Sequence, residues 1–436
     1  MRETAREIFA SALKNASIES AFARNVHCER RILRIGDDLH DLDSYQRILV
    51  VSIGKAAHTM VAALAAQAGS NFEGIVASSV DATSQMRGFR YFRGGHPTPT
   101  AESIDAAVAI LKSLVTLDAT ALVIFMISGG GSSIVEKPVE ADIPLVDLAA
   151  TYRTLVHSGA PIAEINAIRK HLSAVKGGRL ARAAYPAQQV SILVSDVPDA
   201  TPDALASGPT MPDSTSIHDC ERIALQYDLI EQFPKSVADL LRQRALEETP
   251  KSDDPAFIRA RWWTVLSNQV AIDQAAIAAS RAGFAVELDN SCDDWPYEEA
   301  AAYLLKRLRE LRSNVSRVCL ISGGEVTVTV RNGGIGGRNQ QFALACAEQI
   351  AGDDITVLSA GTDGIDGNSP AAGAVVDGST MFRAGKVSNS NNDGAEAIQH
   401  SLSSFNAYPL LSAIGDVVET GPTGNNLRDL RILLSY

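Results

Sequence analysis

Three short runs constrain this chain more than anything else in it: Arg47-Ile-Leu-Val-Val-Ser-Ile53, Ala121-Leu-Val-Ile-Phe-Met-Ile127 and Gln189-Val-Ser-Ile-Leu-Val-Ser195. The first two are β-branched or strongly apolar without polar alternation, and the third, which opens Gln-Val-Ser, also reads as a buried strand. A strand with one wet face alternates, whereas a strand covered on both faces does not. Each run also ends in a small-residue or acidic turn (Gly54-Lys55, Ser128-Gly-Gly-Gly-Ser-Ser133, Asp196-Val-Pro-Asp199), and helical sequence follows. Further strands are expected at Gly74–Val80, Trp263–Ser267 (opening a βαβ unit), Phe284–Leu288, Arg317–Ile321, Asp354–Ser359 and Leu430–Ser435. Strand–helix alternation of this kind means a mostly parallel α/β architecture. At 436 residues the chain exceeds one core. We expect two domains: a doubly wound, Rossmann-like domain over 1–255, or extending to 316, and a smaller α/β domain over 317–436. The ligand would lie in the cleft between them, a usual place for small-molecule sites.

Composition narrows the function classes. Thirty-nine Lys and Arg stand against 51 Asp and Glu, a net charge of −12, which argues against a nonspecific nucleic-acid surface. Any anion site must therefore concentrate its cations locally. The five cysteines are scattered, with no metal-ligand spacing, as in reduced cytoplasmic proteins. No signal peptide and no membrane-spanning apolar run is expected.

The stretch richest in chemistry is Ser322-Gly-Gly-Glu-Val-Thr-Val-Thr-Val-Arg-Asn-Gly-Gly-Ile-Gly-Gly-Arg-Asn-Gln340. It reads as a strand ending at Gly324, a second strand over Glu325–Arg331, and a turn with four glycines in five residues that delivers Arg338 to a helix start. Glycines let backbone approach a ligand, and free N–H groups at a helix start beside an arginine form an anion site. Lys55, at the carboxyl end of a parallel strand, reads equally as ligand contact and as helix-start surface lysine, and the P-loop spacing is absent. Ser128 to Ser133 offers hydroxyls and backbone N–H groups to a phosphate. Asp196, also at a strand's end, suits Mg²⁺ or a substrate hydroxyl. Asp363 and Asp366, in Ala360-Gly-Thr-Asp-Gly-Ile-Asp-Gly-Asn-Ser369, suit metal binding or capping of the next helix. Residues 3–24 read as one amphipathic helix. Pro161–Arg182 reads as a helix broken by Gly177-Gly178, carrying Asn166, Arg169, Lys170, His171, Ser173 and Lys176; a solvated basic face is the default for it, and His171 is not taken as a base.

Taken together, Ser52-Ile-Gly-Lys-Ala56, Gly95-His-Pro97, Ile127-Ser-Gly-Gly-Gly-Ser132, Ile165-Asn-Ala-Ile-Arg-Lys-His-Leu-Ser173, Lys176-Gly-Gly-Arg-Leu180, Ala206-Ser-Gly-Pro-Thr210, Gly336-Gly-Arg-Asn-Gln340, Ala360-Gly-Thr-Asp-Gly364 and Thr420-Gly-Pro-Thr-Gly424 resemble the class II glycerate 2-kinases, which end in a MOFRL domain. The resemblance spans nearly the whole chain. It implies ATP- and Mg²⁺-dependent phosphorylation of D-glycerate at the 2-hydroxyl. Lys55, Arg338 and Asp196 would be catalytic. Ser128, Gly129, Gly130, Gly131, Ser132, Lys176 and Asn339 would hold nucleotide phosphates, Asn166, Lys170 and Asp363 the substrate, and Asp196 and Asp363 the metal. The expected partners are ATP and a small sugar acid, with no nucleic acid and no membrane; a homodimer stays open. The chain departs from the family pattern by lacking acids at Thr100, Ala200, Gln341 and Pro370, which keeps a related sugar acid open as substrate. An NAD(P)H-dependent hydroxypyruvate reductase is the alternative, although no GxGxxG with a downstream ribose-binding acid follows the first strand. A non-catalytic sugar-acid-binding protein is the third reading.

Overall fold

The computed structural model describes residues 1–313, 315–330, 333–387 and 394–436. The chain forms two compact units, Ile18–Val265 and Met1–Ser17 joined with Leu266–Tyr436.

The first unit opens with a small antiparallel meander, β1 (Val26–Glu29), β2 (Ile32–Ile35) and β3 (Asp38–Asp41). Its main sheet holds β4 (Arg47–Ile53), β5 (Glu73–Ser78), β6 (Phe89–Arg93), β7 (Ala121–Ser128), β8 (Gln188–Val194) and β9 (Ala260–Leu266), in the order β6-β5-β4-β7-β8-β9. The pairs from β6 through β8 are all parallel. β7 is buried along its whole length, as its unbroken apolar run requires. Helix Ala101–Leu114 packs Ala106, Ala107, Ile110 and Leu114 on one face of this sheet, and helix Ala57–Ala68 packs against β4, β5 and β7. From β4 the chain runs outward through β5 and β6, then returns to lay β7 on the other side of β4. The topological switch point therefore lies between the carboxyl ends of β4 and β7, where open α/β sheets bind ligands. Helices Leu145–His157, Ile162–His171, Ile217–Gln226 and Lys235–Arg242 build a separate apolar core around Leu148, Tyr152, Ile168, Ile223 and Val237.

The second unit carries β10 (Ala285–Leu288), β11 (Val318–Gly324), β12 (Ile355–Gly361), β13 (Gly373–Asp377), β14 (Val417–Val418) and β15 (Asp429–Ser435), ordered β10-β11-β15-β12-β13-β14. Only β10–β11 is parallel, because β15 inserts antiparallel between β11 and β12. The expectation of parallel strands throughout holds for the first sheet and not for this mixed one. Helices Arg2–Asn15 and Asn268–Arg281 share one face's core with Ile321, Leu358 and Ile432. Helices Tyr297–Arg312 and Arg338–Gln349 cover the other.

Several expectations change. Residues 3–24 form two helices, Arg2–Asn15 and Ile18–Asn25; the Asn15 amide turns back onto the Ser11 carbonyl at 2.8 Å and competes with the helical pattern. The first of them buries Ala5, Ile8, Phe9 and Ala12 in the second unit. Pro161–Arg182 divides into Ile162–His171 and Arg179–Ala184. The expected division at 255 or 316 differs from the compact units, which break at Ser17 and Leu266. β9 and β10 lie in different sheets, so the helix between them is no βαβ crossover; its apolar face (Ala271, Ile272, Ala275, Ala279) belongs to the second core. Among the described residues 325–330 no strand forms. Gly324 turns at φ 84°, and among the described residues to Val330 only Thr327 bridges, to Pro296. The backbone of Glu325 and Thr327 bonds instead to Asp294, Trp295 and Tyr297, which belong to no strand. Arg331, the expected strand end, lies outside the described residues.

Candidate active site

In the first unit the switch point is built from two interlocked turns. The Lys55 N–H donates to the Gly129 carbonyl at 2.9 Å, and the Ala56 N–H donates to Ser128 Oγ at 3.1 Å. The Lys55 side chain lies over Gly130: a Cβ added there would fall 3.2 Å from Lys55 Cε and 3.0 Å from His96 Cδ2. Desolvation first and the Lys55 charge second pull the His96 pKa down, favouring a neutral ring beside the ammonium. The Asp196 carboxylate rests on Gly129, where a Cβ would meet Oδ2 at 1.9 Å. Ser132 Oγ lies 2.9 Å from Ser207 Oγ. Lys55, Ser128 to Ser132 and Asp196 are thus brought together, and His96 joins them without a sequence signal beyond its His-Pro turn.

Lys176 and Lys170 are placed differently. The Lys176 ammonium is enclosed with Glu136, to which it donates, and with Ser173 Oγ at 3.4 Å. Glu136 also accepts from Tyr152 Oη at 2.7 Å and Ser173 Oγ at 2.5 Å. Lys170 donates to Asp203 Oδ2 at 2.8 Å and Asp213 Oδ1 at 3.1 Å. The default of a solvated basic face does not hold: Lys170 is 4% exposed and Lys176 1%. A buried ammonium needs a partner, and partners from distant segments close over both. Asn166 is half-buried on the same helix as Lys170. His171 sits among the Ala167 carbonyl at 2.8 Å, Cys220 Sγ at 3.2 Å and Glu248 Oε1 at 2.8 Å, a packing role.

In the second unit Arg338 opens helix Arg338–Gln349 and is gripped by two carboxylates. Nε donates to Asp429 Oδ2 at 2.5 Å, Nη2 to Asp429 Oδ1 at 3.1 Å, and Nη2 lies 2.8 Å from Glu325 Oε1. Asp429 begins β15 and pairs with Gly324 and Gly361 at the ends of β11 and β12. Burial works against the charge on Arg338, but Asp429 and Glu325 outweigh it and raise its pKa. Burial, with Asp429 nearby, pushes Glu325 upward in spite of Arg338.

The expected anion site at this helix start is filled by the protein itself. Asp366 accepts from the Asn339 N–H at 3.1 Å and the Gln340 N–H at 2.9 Å. Gly337 is glycine because a Cβ would strike Asp366 Oδ1 at 2.3 Å. Burial pushes the Asp366 pKa up to about 7 against these hydrogen bonds. Asn339 faces inward: its Oδ1 accepts from Ser359 Oγ at 2.6 Å. Asp366 therefore caps the preceding helix rather than the next one. Asp363 accepts from the Ile365 N–H at 3.1 Å and, with Arg338 and Gly333, Gly334, Gly336 and Gly337, lines a cavity of about 460 Å³. Sequence reasoning missed Asp429 and left Glu325 without a role. Among the described residues no group of three or more His, Cys, Asp or Glu is arranged to hold a metal ion, and no helix is long and apolar enough to cross a membrane.

Comparison with known proteins gives this geometry its context. Residues 4–242 match a domain of unknown function, DUF4147, and residues 318–429 match the MOFRL family. A D-glycerate 2-kinase from Thermotoga maritima is 34% identical over 88% of this chain and 90% of its own. The chain belongs to the class II glycerate 2-kinase family. A relative from Agrobacterium vitis with a provisional hydroxypyruvate reductase label is 35% identical over 99% of this chain and 94% of its own. The solved glycerate kinase of Thermotoga maritima superposes with a TM-score of 0.85 at 31% identity, covering 100% of this chain and 99% of that one. The two-domain α/β layout is thus that of the family.

Proposed function

We propose that this chain is a glycerate 2-kinase: ATP donates its γ-phosphoryl group to the 2-hydroxyl of D-glycerate, giving 2-phosphoglycerate and ADP. The hydroxyl oxygen bonds to γ-phosphorus, the bond to the ADP oxygen breaks, and the hydroxyl proton passes to solvent. Such a transfer asks for alignment and charge stabilisation more than covalent catalysis. The observation that carries the reading is the Arg338 guanidinium, fixed by Asp429 and Glu325 at the edge of a glycine-lined cavity, in a chain that aligns along most of its length with glycerate 2-kinases. Two carboxylates orient the planar fork in advance, so little ordering is left for the transition state.

Lys55 is the candidate cation of the first unit, and the hydroxyls and backbone of Ser128 to Ser132 beside it suit nucleotide phosphates. Lys170, Lys176 and Asn339 act by holding these elements, since their polar groups are taken up within the protein; Asn166 stays a substrate candidate. Mg²⁺ commonly binds through one or two carboxylates plus substrate phosphates. Asp196 in the first unit and Asp363 in the second are separate candidates, each a single carboxylate suited to an ion that takes most of its ligands from ATP. When bound it would neutralise phosphate charge.

A coupled ADP-release assay with ATP, Mg²⁺ and D-glycerate tests this. Turnover is expected, and Lys55→Ala should lower kcat about 100-fold or more with an unchanged melting curve, as for loss of a transition-state charge contact. Release of ADP with a larger aldonic acid but not with glycerate would reassign the substrate. No ADP release with any acid, or NADH consumption with hydroxypyruvate, would overturn the kinase reading.

A further inference from the structure

Beside the cavity that contains Arg338 the second unit holds another, of about 520 Å³, and Val328 and Phe405 line both. The two differ in their cations. The first presents the Arg338 guanidinium and a glycine loop beside the carboxylates of Asp363 and Asp366. The second presents two carboxylates, Glu298 and Glu348, and three amides, Gln341, Gln349 and Gln399, and no Lys or Arg among its described lining residues. Its volume is that of a small-molecule site. It also carries an unmet demand. Gln341 is 1% exposed; its Nε2 donates to the Leu402 carbonyl at 3.3 Å, while its Oε1 is buried without a partner among the described residues. A buried acceptor left open in this way points to a missing donor.

A ligand suited to both cavities is anionic at one end, uncharged and rich in hydrogen-bond donors at the other. We propose that the cavity lined by Glu298, Gln341 and Glu348 binds the nucleoside portion of ATP, with its phosphates directed toward Arg338; this rests on the kinase reading for the identity of the nucleotide. Carboxamides pair with the amino edge of adenine. Carboxylates accept from ribose hydroxyls, as the acidic residue of dinucleotide sites does. Val328 and Phe405 supply apolar surface for the base. A cationic lining would draw phosphate into this cavity, and its absence among the described residues keeps the two ends of the ligand in register.

Calorimetric titration of the full chain with ADP, adenosine and inorganic tripolyphosphate separates the two ends. Ser403 is exposed on the cavity's wall, so Ser403→Trp fills the space from the surface. Glu348→Ala removes an acceptor. Both variants are expected to weaken ADP and adenosine at least tenfold and to leave tripolyphosphate affinity and the melting curve unchanged. ADP affinity that stays unchanged, or that falls in step with tripolyphosphate, overturns the proposal, as does a parent chain that binds neither ADP nor adenosine. Binding is read here without turnover. An enzyme silent on every acid that still shows this split would remove the kinase reading and leave the nucleoside site standing.

Discussion

Lys176 shows how far a residue's neighbours can change its meaning. A lysine ahead of Gly177-Gly178 reads as a phosphate contact until its partner is known, and the partner, Glu136, lies 40 positions away with no local spacing to announce it. Removing one member of a buried pair strands the other charge. Lys176→Met is therefore expected to cost about 3–5 kcal/mol in urea unfolding, with tripolyphosphate affinity of the folded fraction unchanged; weakened phosphate binding at full stability would return Lys176 to the active site. Arg338 poses the same problem, since Asp429 stands 91 positions away. The arginine was legible from its glycine loop, and its clamp was not. Asp366 carries a pH signature. Its pKa in the folded protein, about 7, lies above the ordinary aspartate value. The folded state thus binds the proton more tightly, and the stability linked to this group is present at low pH and lost as pH rises from about 4 through about 7. Asp366→Asn keeps one acceptor oxygen and should flatten that fall, by an amount on the order of 4 kcal/mol. Denaturation at pH 4 and pH 8 measures it, and parallel curves for the two proteins would refute it.

At the level of elements, strand interiors and strand ends were the readable parts. Continuous apolar runs located β4, β7 and β8 to within a residue or two, and the turns after them hold Lys55, Ser128 to Ser132 and Asp196. Glu325–Val330 misled because Val-Thr-Val-Thr-Val has strand periodicity, while its backbone pairs with Asp294 to Tyr297, a stretch outside any strand. Pairing is a tertiary fact that periodicity does not contain. The turn after β7 makes its own prediction. Gly129 leaves room for the Asp196 carboxylate, and a methyl group at that position would fall 1.9 Å from Oδ2. Gly129→Ala should displace Asp196 and lower kcat about 100-fold, as misplacements near 1 Å do, with little change in melting temperature. Full activity in this variant would take Asp196 out of the reaction.

Over the whole molecule, two α/β units were legible from length and alternation, but their membership was not. Nothing local in Arg2–Asn15 reveals that its apolar face belongs to a sheet built more than 280 residues later. Phe9 is 1% exposed in that core. Phe9→Ala should cost about 3–5 kcal/mol, and hydrogen exchange should quicken in β11, β12 and β15 while β4 and β7 keep their protection. Uniform loosening of both sheets would contradict the division at Ser17 and Leu266.

That division has a consequence for how the protein is made. Ile18–Val265 is one uninterrupted stretch and can close its sheet as soon as it has left the ribosome. The opening helix cannot. Made before all of Ile18–Val265, it must wait at least for its packing partner Asn268–Arg281, and over about 250 residues at about 5–20 residues per second that delay is on the order of 10–50 s. Throughout it, Ile8 and Phe9 lack the core that buries them, so this helix needs a chaperone while the whole first unit is being made and folded.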